Sequence, residues 1–567
     1  MKKATKLIAL LLSIAVVLSL AACGGSAQPA GGSGNQEGGQ TEATTSSILD
    51  NLPSETTTVN EERKSTANSD ERYEKVVVAQ QQDCMELQPF NNIRDLGKSM
   101  QVAAIYEPLL DEIEVGEFVG RLAKSWEEVD DTHVKVEIFD YIEDTDGNKI
   151  TADDVVFSYN LVKDSGYAND FGYFESVEAT GDYEVTFTWN KPIDSLTAFA
   201  SMLSQVNIVS EKAYSEHDMS RDPVGTGPYK LVSFMASNST VVEARDDYWQ
   251  TDESLRSPFA KANVQTIEWD VVADAEMRKL SFQNGETTYI QLTADILADY
   301  ITGQYSENAN LYYSIGETNA AIECNCSENS ICSNKDFRLA MFYAINSDAV
   351  SQVNGPDLYP VPKTFVPTGA GDFDPSWEDI DSYLNVYDPD LAKEYLEKSG
   401  YDGTPIKFVT NTFPLKTTSA QVIANMLGEV GINVEIVTIE AALNKQYRSD
   451  MTSWDIWNGG FGDMNYAIIG LYKSMSATQG TIEGYPNNYY VDDAFQEMLS
   501  KATSTSGYSK EATKEVIEYI NDNALLYPYI NVSKIYAFDP NVITFVRTGI
   551  NRGSGGFQLG ACDYYLD

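Results

Sequence analysis

Val422-Ile423-Ala424-Asn425-Met426-Leu427-Gly428-Glu429-Val430-Gly431-Ile432-Asn433-Val434-Glu435-Ile436 changes its hydrophobic period partway along. Val422, Ile423, Met426, Leu427 and Val430 fall on one stripe of a helix. Gly431 stops it, and Ile432, Val434 and Ile436 then alternate as a strand. A helix running straight into a strand is the unit of open α/β sheets, so this stretch predicts an α/β fold.

Neighbouring segments extend that reading. Asp388 suits an N-cap, Pro389 a first helical turn and Gly400 a stop, around an apolar face of Leu391, Ala392, Tyr395 and Leu396. Lys75-Val76-Val77-Val78-Ala79 is a β-branched run fit for a buried strand. Val134 to Ile138 and Tyr183 to Trp189 alternate, predicting half-buried antiparallel strands within 108–208. Gly225 and Gly227, flanking Thr226 and followed by Pro228, suit a tight turn that needs permissive φ values. Trp126 and Trp249 read as packing anchors. There is no internal repeat and no phosphate loop.

Residues 76–567 are too many for one core, which predicts two or more domains. The chain carries 85 acidic against 39 basic residues, a formal charge of −46. Such a chain repels nucleic acid and anionic headgroups. Lys2, Lys3 and Lys6 precede an apolar run from Leu7 to Leu20, shorter than the roughly 20 residues that span a bilayer. That pattern is an export signal, expected over residues 1–22. From Gly24 to about residue 60 the chain is Gly, Ser, Thr, Gln and Glu, too polar to order itself, and charged residues carry an expected disordered linker over 23–75.

Beyond Cys23 there are five cysteines, an odd count that leaves at least one thiol without an intramolecular partner. Cys324-x-Cys326-x5-Cys332 does not match zinc spacings, and His133 and His217 are remote. Two alternatives stand: a local disulfide such as Cys326–Cys332, or buried thiols in a strand. No metal and no cofactor are expected. The sequence has no Gly-x-Ser-x-Gly elbow, no His-Glu-x-x-His and no Cys/His constellation, so an enzyme is not expected. A surface hydrolase using paired carboxylates is the enzymatic alternative.

Several segments, in order, resemble the family 5 extracellular solute-binding proteins of ABC importers, the oligopeptide, dipeptide and nickel type. They are Tyr106-Glu107-Pro108-Leu109-Leu110, Leu122-Ala123-Lys124-Ser125-Trp126-Glu127, Thr151-Ala152-Asp153-Asp154-Val155-Val156-Phe157-Ser158 and Pro223-Val224-Gly225-Thr226-Gly227-Pro228-Tyr229-Lys230-Leu231. Asp247-Tyr248-Trp249, Asn284-Gly285-Glu286, Asp336-Phe337-Arg338-Leu339-Ala340 and Tyr343-Ala344-Ile345-Asn346 follow. Leu20-Ala21-Ala22-Cys23 resembles the bacterial lipobox, whose cysteine carries the lipid. One stretch departs from the family: Ile138 to Gly147 is acidic where the family is basic and aromatic. It lacks the full calcium-loop pattern and reads as a solvated acidic hairpin.

The resemblance implies a two-lobed, periplasmic-binding-protein-like (type II) α/β fold with an antiparallel β-rich subdomain inserted in lobe I. Lobe I is expected at 76–107, 209–319 and 528–567, the insert at 108–208 and lobe II at 320–527. It implies a monomer, lipid-anchored through Cys23 to the outer face of the cytoplasmic membrane, that captures a peptide between its lobes and delivers it to permease subunits. An oligosaccharide or a metal chelate is the alternative ligand. Asn458-Gly459-Gly460-Phe461-Gly462-Asp463 resembles the segment whose aspartate pairs with the ligand's ammonium in peptide-binding members, which implicates Asp463 with Asn458, Gly460, Phe461 and Gly462. Asp83 and Met85 are expected on the opposite wall, and Tyr466 as an added aromatic face.

Overall fold

A computed structural model of the chain describes residues 63–81, 84, 86–90, 96–114, 117–165, 174–192, 194, 196, 198–440, 443–462, 466–476, 492–546 and 558–567. The export signal, Cys23, Asp83, Met85 and Asp463 lie outside them. No helix of the described residues is long and apolar enough to cross a membrane.

A disordered linker reaching residue 75 is corrected by the structure. Arg63 Nε bonds Asp567 Oδ1 at 2.9 Å, and its guanidinium stacks 3.7 Å over the Tyr565 ring. Thr66 and Tyr564 exchange hydrogen bonds of 2.8 and 2.9 Å. Arg63 and Thr66 have their partners at the far end of the sequence and Arg72 pairs with Asp246 at 2.7 Å, contacts that composition alone does not reveal.

Lobe I opens with β1 (Tyr73–Gln80), which buries Val76 and Val78, and α1 (Leu96–Ile105). The chain then forms a separate antiparallel sheet of β2 (Ala123–Asp130), β3 (His133–Ile138), β4 (Phe174–Gly181) and β5 (Glu184–Trp189), ordered β2-β3-β5-β4. The alternation read in β3 and β5 is the burial pattern: Val134, Val136, Ile138, Val185, Phe187 and Trp189 all face its core. A helix, α2 (Ala152–Ser165), contributes Val155, Tyr159 and Val162 to that core. The chain returns through β6 (Tyr229–Met235), β7 (Ser239–Ala244) and β8 (Val264–Val271), completing a sheet ordered β1-β8-β7-β6 in which β1 and β8 run parallel.

Gly225 and Gly227 are needed, but not for their φ angles, since neither is positive. A Cβ on Gly225 would lie 2.2 Å from Ile105 O, and one on Gly227 2.6 Å from Ala104 O. The loop lies directly on the end of α1, with Gly227 N donating to Ile105 O at 2.8 Å. Only a residue without a side chain permits that approach.

A buried ionic network ties the insert to lobe I. Arg121 Nε donates to Glu107 Oε1 at 2.5 Å and Arg121 Nη1 to Asp111 Oδ2 at 3.1 Å, and all three side chains are at most 2% exposed. Tyr248 OH (2.7 Å) and Trp249 Nε1 (2.9 Å) donate to the same Glu107 carboxylate, and Ser257 Oγ to Asp111 (2.5 Å). Two segments far apart in sequence, 106–110 and 247–249, thus meet at one carboxylate. The acidic hairpin is also built inward. Asp144 is 2% exposed and accepts from Asp146 N, Asn148 N and Asn148 Nδ2, while Arg245 caps the Asp144 carbonyl at 3.1 Å. Its central carboxylate is a turn-former rather than a solvated charge.

Lobe II and the connection between lobes share one six-stranded sheet. Its strands are β9 (Tyr289–Gln291), β10 (Asn310–Cys324), β11 (Ile406–Asn411), β12 (Val434–Ile439), β13 (Ile456–Phe461) and β14 (Leu526–Phe538), ordered β9-β14-β10-β13-β11-β12. The long strands β10 and β14 pair antiparallel from Asn310↔Phe538 to Glu323↔Leu526, with a register break between Ser314 and Thr318. At one end Tyr312, Tyr536 and Phe538 pack in the lobe I core with Trp269; at the other, Ala320 to Ile322 and Leu525 to Tyr527 pack in lobe II. These two strands carry the chain between lobes.

Two lobe II helices end where the sequence predicts. In α3 (Pro389–Ser399), Asp388 caps Asp390 N and Leu391 N, and Gly400 closes the helix at φ 70°. α4 (Pro414–Val430) ends at Gly431, φ 102°, but starts eight residues before its apolar stripe, at Pro414. The Cys326–Cys332 disulfide is not formed. Both are free thiols, and Cys332 lies on a short 3-10 turn (Ile331–Ser333) that follows the end of β10 at Cys324. Cys324 and Cys332 are wholly buried, and Cys324, in β10, is the buried strand thiol of the second alternative.

Candidate functional site

β13 forms the floor of a cleft of about 660 Å³ bounded by β10, β14, α4 and the following helix α5 (Ala467–Met475). Its backbone is paired fully on one side and only in part on the other. β10 pairs along its whole length, Asn319↔Phe461 to Cys324↔Ile456, whereas β11 pairs only at Phe408↔Ile456 and Val409↔Trp457. From Asn458 to Phe461 the other edge borders the cleft, where the Lys416 ammonium, in the first turn of α4, donates to Gly459 O.

Beneath this strand lies a buried carboxylate. Glu323, on β10 and 1% exposed, accepts from Gly460 N at 3.2 Å and pairs with Arg448 of the short helix Asn444–Ser449. Gly459 makes the arrangement possible, because a Cβ there would stand 1.9 Å from Glu323 Oε1. Arg448 also lies 5.2 Å over the Trp457 ring, a cation–π contact that fixes its stem. Removal from water pushes the Lys416 ammonium down to about 8; Glu323 opposes the shift and Arg448 adds to it.

Of the residues expected here, Asn458, Gly460, Phe461 and Gly462 line the cleft. The Asn458 side chain is nonetheless occupied by the scaffold. It donates to Lys416 O (2.8 Å) and Thr410 Oγ1 (3.2 Å) and accepts from Tyr529 OH (2.6 Å), locking β13 to the start of α4. Tyr466 is not among the lining residues; it packs edge-on against Tyr508 at 5.2 Å, beside the Asp372 that holds Tyr508 OH. Asp463, Asp83 and Met85 lie outside the described residues.

The residues the sequence reading missed are cations: Lys416, Arg448, Lys473 and Lys534 all line the wall. One trace was available. A lysine in the first turn of a helix opposes the helix dipole, so Lys416 is misplaced for stability and well placed for something else.

The Lys416 pKa of about 8 gives a pH signature. An unfolded lysine titrates near 10.4, so between about 8 and 10 the unfolded chain binds the extra proton and stability rises with pH; below 8 the penalty is fully present. Denaturant midpoints of the native chain, compared with Lys416→Met across pH 7–10, should converge toward the variant as pH rises. A pH-independent difference would contradict the buried ammonium.

A two-lobed α/β body joined by two long strands, with a cleft beside them, defines the class of solute-binding proteins. Residues 117–479 match the profile of the bacterial extracellular solute-binding proteins, family 5 (middle region), and the chain belongs to that family. It is 24% identical over 477 residues to a dipeptide-binding protein of Escherichia coli K12, covering 76% of this chain and 84% of the relative. Its fold matches that of the ABC transporter-associated periplasmic binding protein DppA from Helicobacter pylori in complex with the peptide STSA: TM-score 0.72, 21% identity, 88% of this chain and 99% of the other. NikZ from Campylobacter jejuni, in complex with Ni(L-His), matches at TM-score 0.64 and 18% identity over 85% of this chain and 97% of the other.

Proposed function

We propose that this protein is the peptide-capturing component of an ABC importer, exported and held to the outer face of the cytoplasmic membrane through a lipid on Cys23. The observation that carries the reading is the glycine-lined backbone edge of β13, Asn458 to Phe461, left unpaired by β11 along a cleft of about 660 Å³. An extended peptide can lie along such a strand edge, and small residues allow the close approach. The dipeptide-binding relative and the peptide-bound structural match support the same ligand class. Asp463, which follows this strand in sequence, is proposed to hold the ligand's ammonium through a charge-assisted bond. The lobes are proposed to close over the peptide about β10 and β14 and to release it unchanged to permease subunits.

Native mass spectrometry of the purified full chain should recover bound peptide. Recovery of a sugar or a nickel complex alone would overturn the reading. In calorimetry with the recovered peptide, Asp463→Ala should weaken binding by about 1–3 kcal/mol, the range for a hydrogen bond to a charged group. Unchanged affinity would remove Asp463 as the anchor.

A further inference from the structure

A loop of the inserted subdomain reaches lobe II. It runs between β5 and the helix Ala198–Ser204, both of which pack in the insert's own core. Leu196 N donates to Thr503 O at 3.0 Å, and the Leu196 side chain packs against the lobe II core. Two residues earlier, Asp194 Oδ1 accepts from Ser506 N at 2.8 Å and Asp194 Oδ2 from Ser506 Oγ at 2.6 Å. The bonds from Ser506 hold the Asp194 carboxyl below the usual carboxylate range, so it meets lobe II as an anion. The receiving loop is built by its own contacts. Ser504 Oγ donates to Lys501 O (2.8 Å) and accepts from Gly507 N (2.9 Å), and a Cβ on Gly507 would lie 2.5 Å from Lys501 O. That turn presents Ser506 just beyond the helix Asp493–Ala502.

From this arrangement we infer that Asp194 and Ser506 form a latch, made when the lobes close over a ligand and broken when they open, which sets how long the ligand is held. The inference rests on the lobe closure of the peptide reading above and names residues that hold it. The insert's two attachments differ in kind. Toward lobe I it is tied by the network of Arg121, Glu107 and Asp111, at most 2% exposed, whose rupture would strand buried charge. Toward lobe II these hydrogen bonds join a half-buried Asp194 to an exposed Ser506, where water replaces a lost partner at little cost. The first suits a permanent joint and the second a reversible one. Lobe II also connects the latch loop to the cleft. Tyr508 OH, two residues beyond Ser506, donates to Asp372 Oδ2 at 2.7 Å, and Asp372 Oδ1 accepts from Ala467 N, the first residue of α5, at 2.7 Å. Gly470 and Lys473 of α5 line the cleft, so a ligand that shifts α5 acts on the latch loop through one carboxylate.

The test uses the purified full chain, either loaded from a digest of short peptides or stripped of peptide by reversible urea unfolding. In residue-resolved hydrogen exchange, the Ser506 amide should be protected in the loaded chain and exchange about tenfold faster in the stripped chain and in loaded Asp194→Ala. After dilution, retained peptides should leave Asp194→Ala about fivefold faster than the native chain, the scale of a hydrogen bond lost at a partly exposed site. Their association rate should be unchanged, because the latch forms after the ligand has entered. Should Asp194→Ala fail to fold, Ser506→Ala replaces it; it keeps the amide, loses the hydroxyl and should release peptide about twofold faster. Equal protection of Ser506 in loaded and stripped chains would make the contact a permanent joint and overturn the latch. An unchanged release rate in the folded variant would overturn it too, and both results leave the peptide reading intact. A native chain that retains no peptide overturns that reading and the latch with it.

Discussion

Replacing Arg121 with methionine should destabilise the protein by about 3–5 kcal/mol, the cost of removing one partner from a buried ionic group. The guanidinium pairs with both Glu107 and Asp111, and neither carboxylate is more than 2% exposed. Methionine preserves much of the stem's volume, so the loss reports charge and hydrogen bonding rather than a cavity. Tyr248, Trp249 and Ser257 would still donate to the carboxylates, which keeps the cost within that range rather than beyond it. Urea unfolding followed by tryptophan fluorescence is suited to this, since Trp249 Nε1 bonds Glu107 directly. A loss under 1 kcal/mol would show that Arg121 does not neutralise the pair.

How much of this was legible depends on whether the cause was local. The helix Pro389–Ser399 could be read because its cap, its first-turn proline and its closing glycine lie within a dozen residues. The alternating strands His133–Ile138 and Glu184–Trp189 could be read because one face of each meets a core. Gly225 and Gly227 were visible as special, but their reason was not: it is the end of α1, more than a hundred residues earlier, that excludes a side chain. The ordered residues from 63 onward looked like tether because the residues that fix them are 564–567.

The same distinction divides the site. The glycine-rich run after Trp457 marked the strand that floors the cleft, since close approach of another backbone is what such glycines permit. Asn458 was legible as a cleft residue but not as a scaffold residue, because Tyr529, Thr410 and Lys416 reach it from three other elements. The basic wall was hidden altogether. Its members are dispersed between positions 416 and 534, in a composition whose overall acidity argues against any basic surface. Net charge constrains what the whole surface attracts, not what a folded cleft collects.

That wall depends on the carboxylate behind it, which makes Glu323 the residue whose change should reach furthest. Glu323→Ala should cost about 3–5 kcal/mol, because it leaves Arg448 without its buried partner and removes the acceptor of Gly460 N. Gly459→Ala should cost a comparable amount by a different route: its Cβ would stand 1.9 Å from Glu323 Oε1 and so expel the carboxylate from its place. Since both substitutions act on one carboxylate, they should not add. With Glu323 already shortened to alanine, the space beside position 459 is vacated, and the double variant should lose little more than Glu323→Ala alone, a coupling of about 2–3 kcal/mol in a double-mutant cycle. Additive losses would mean that Gly459 is required for some reason other than making room for Glu323. The charge follows the geometry. Glu323 is the group that holds the Lys416 ammonium up against desolvation, so its removal should lower that pKa and move the pH dependence that Lys416 gives to peptide affinity to lower pH. A titration of peptide affinity from pH 6 to 9 in the Glu323→Ala background would show the midpoint displaced downward, and a midpoint unmoved from the native one would separate Lys416 from the carboxylate beneath the strand.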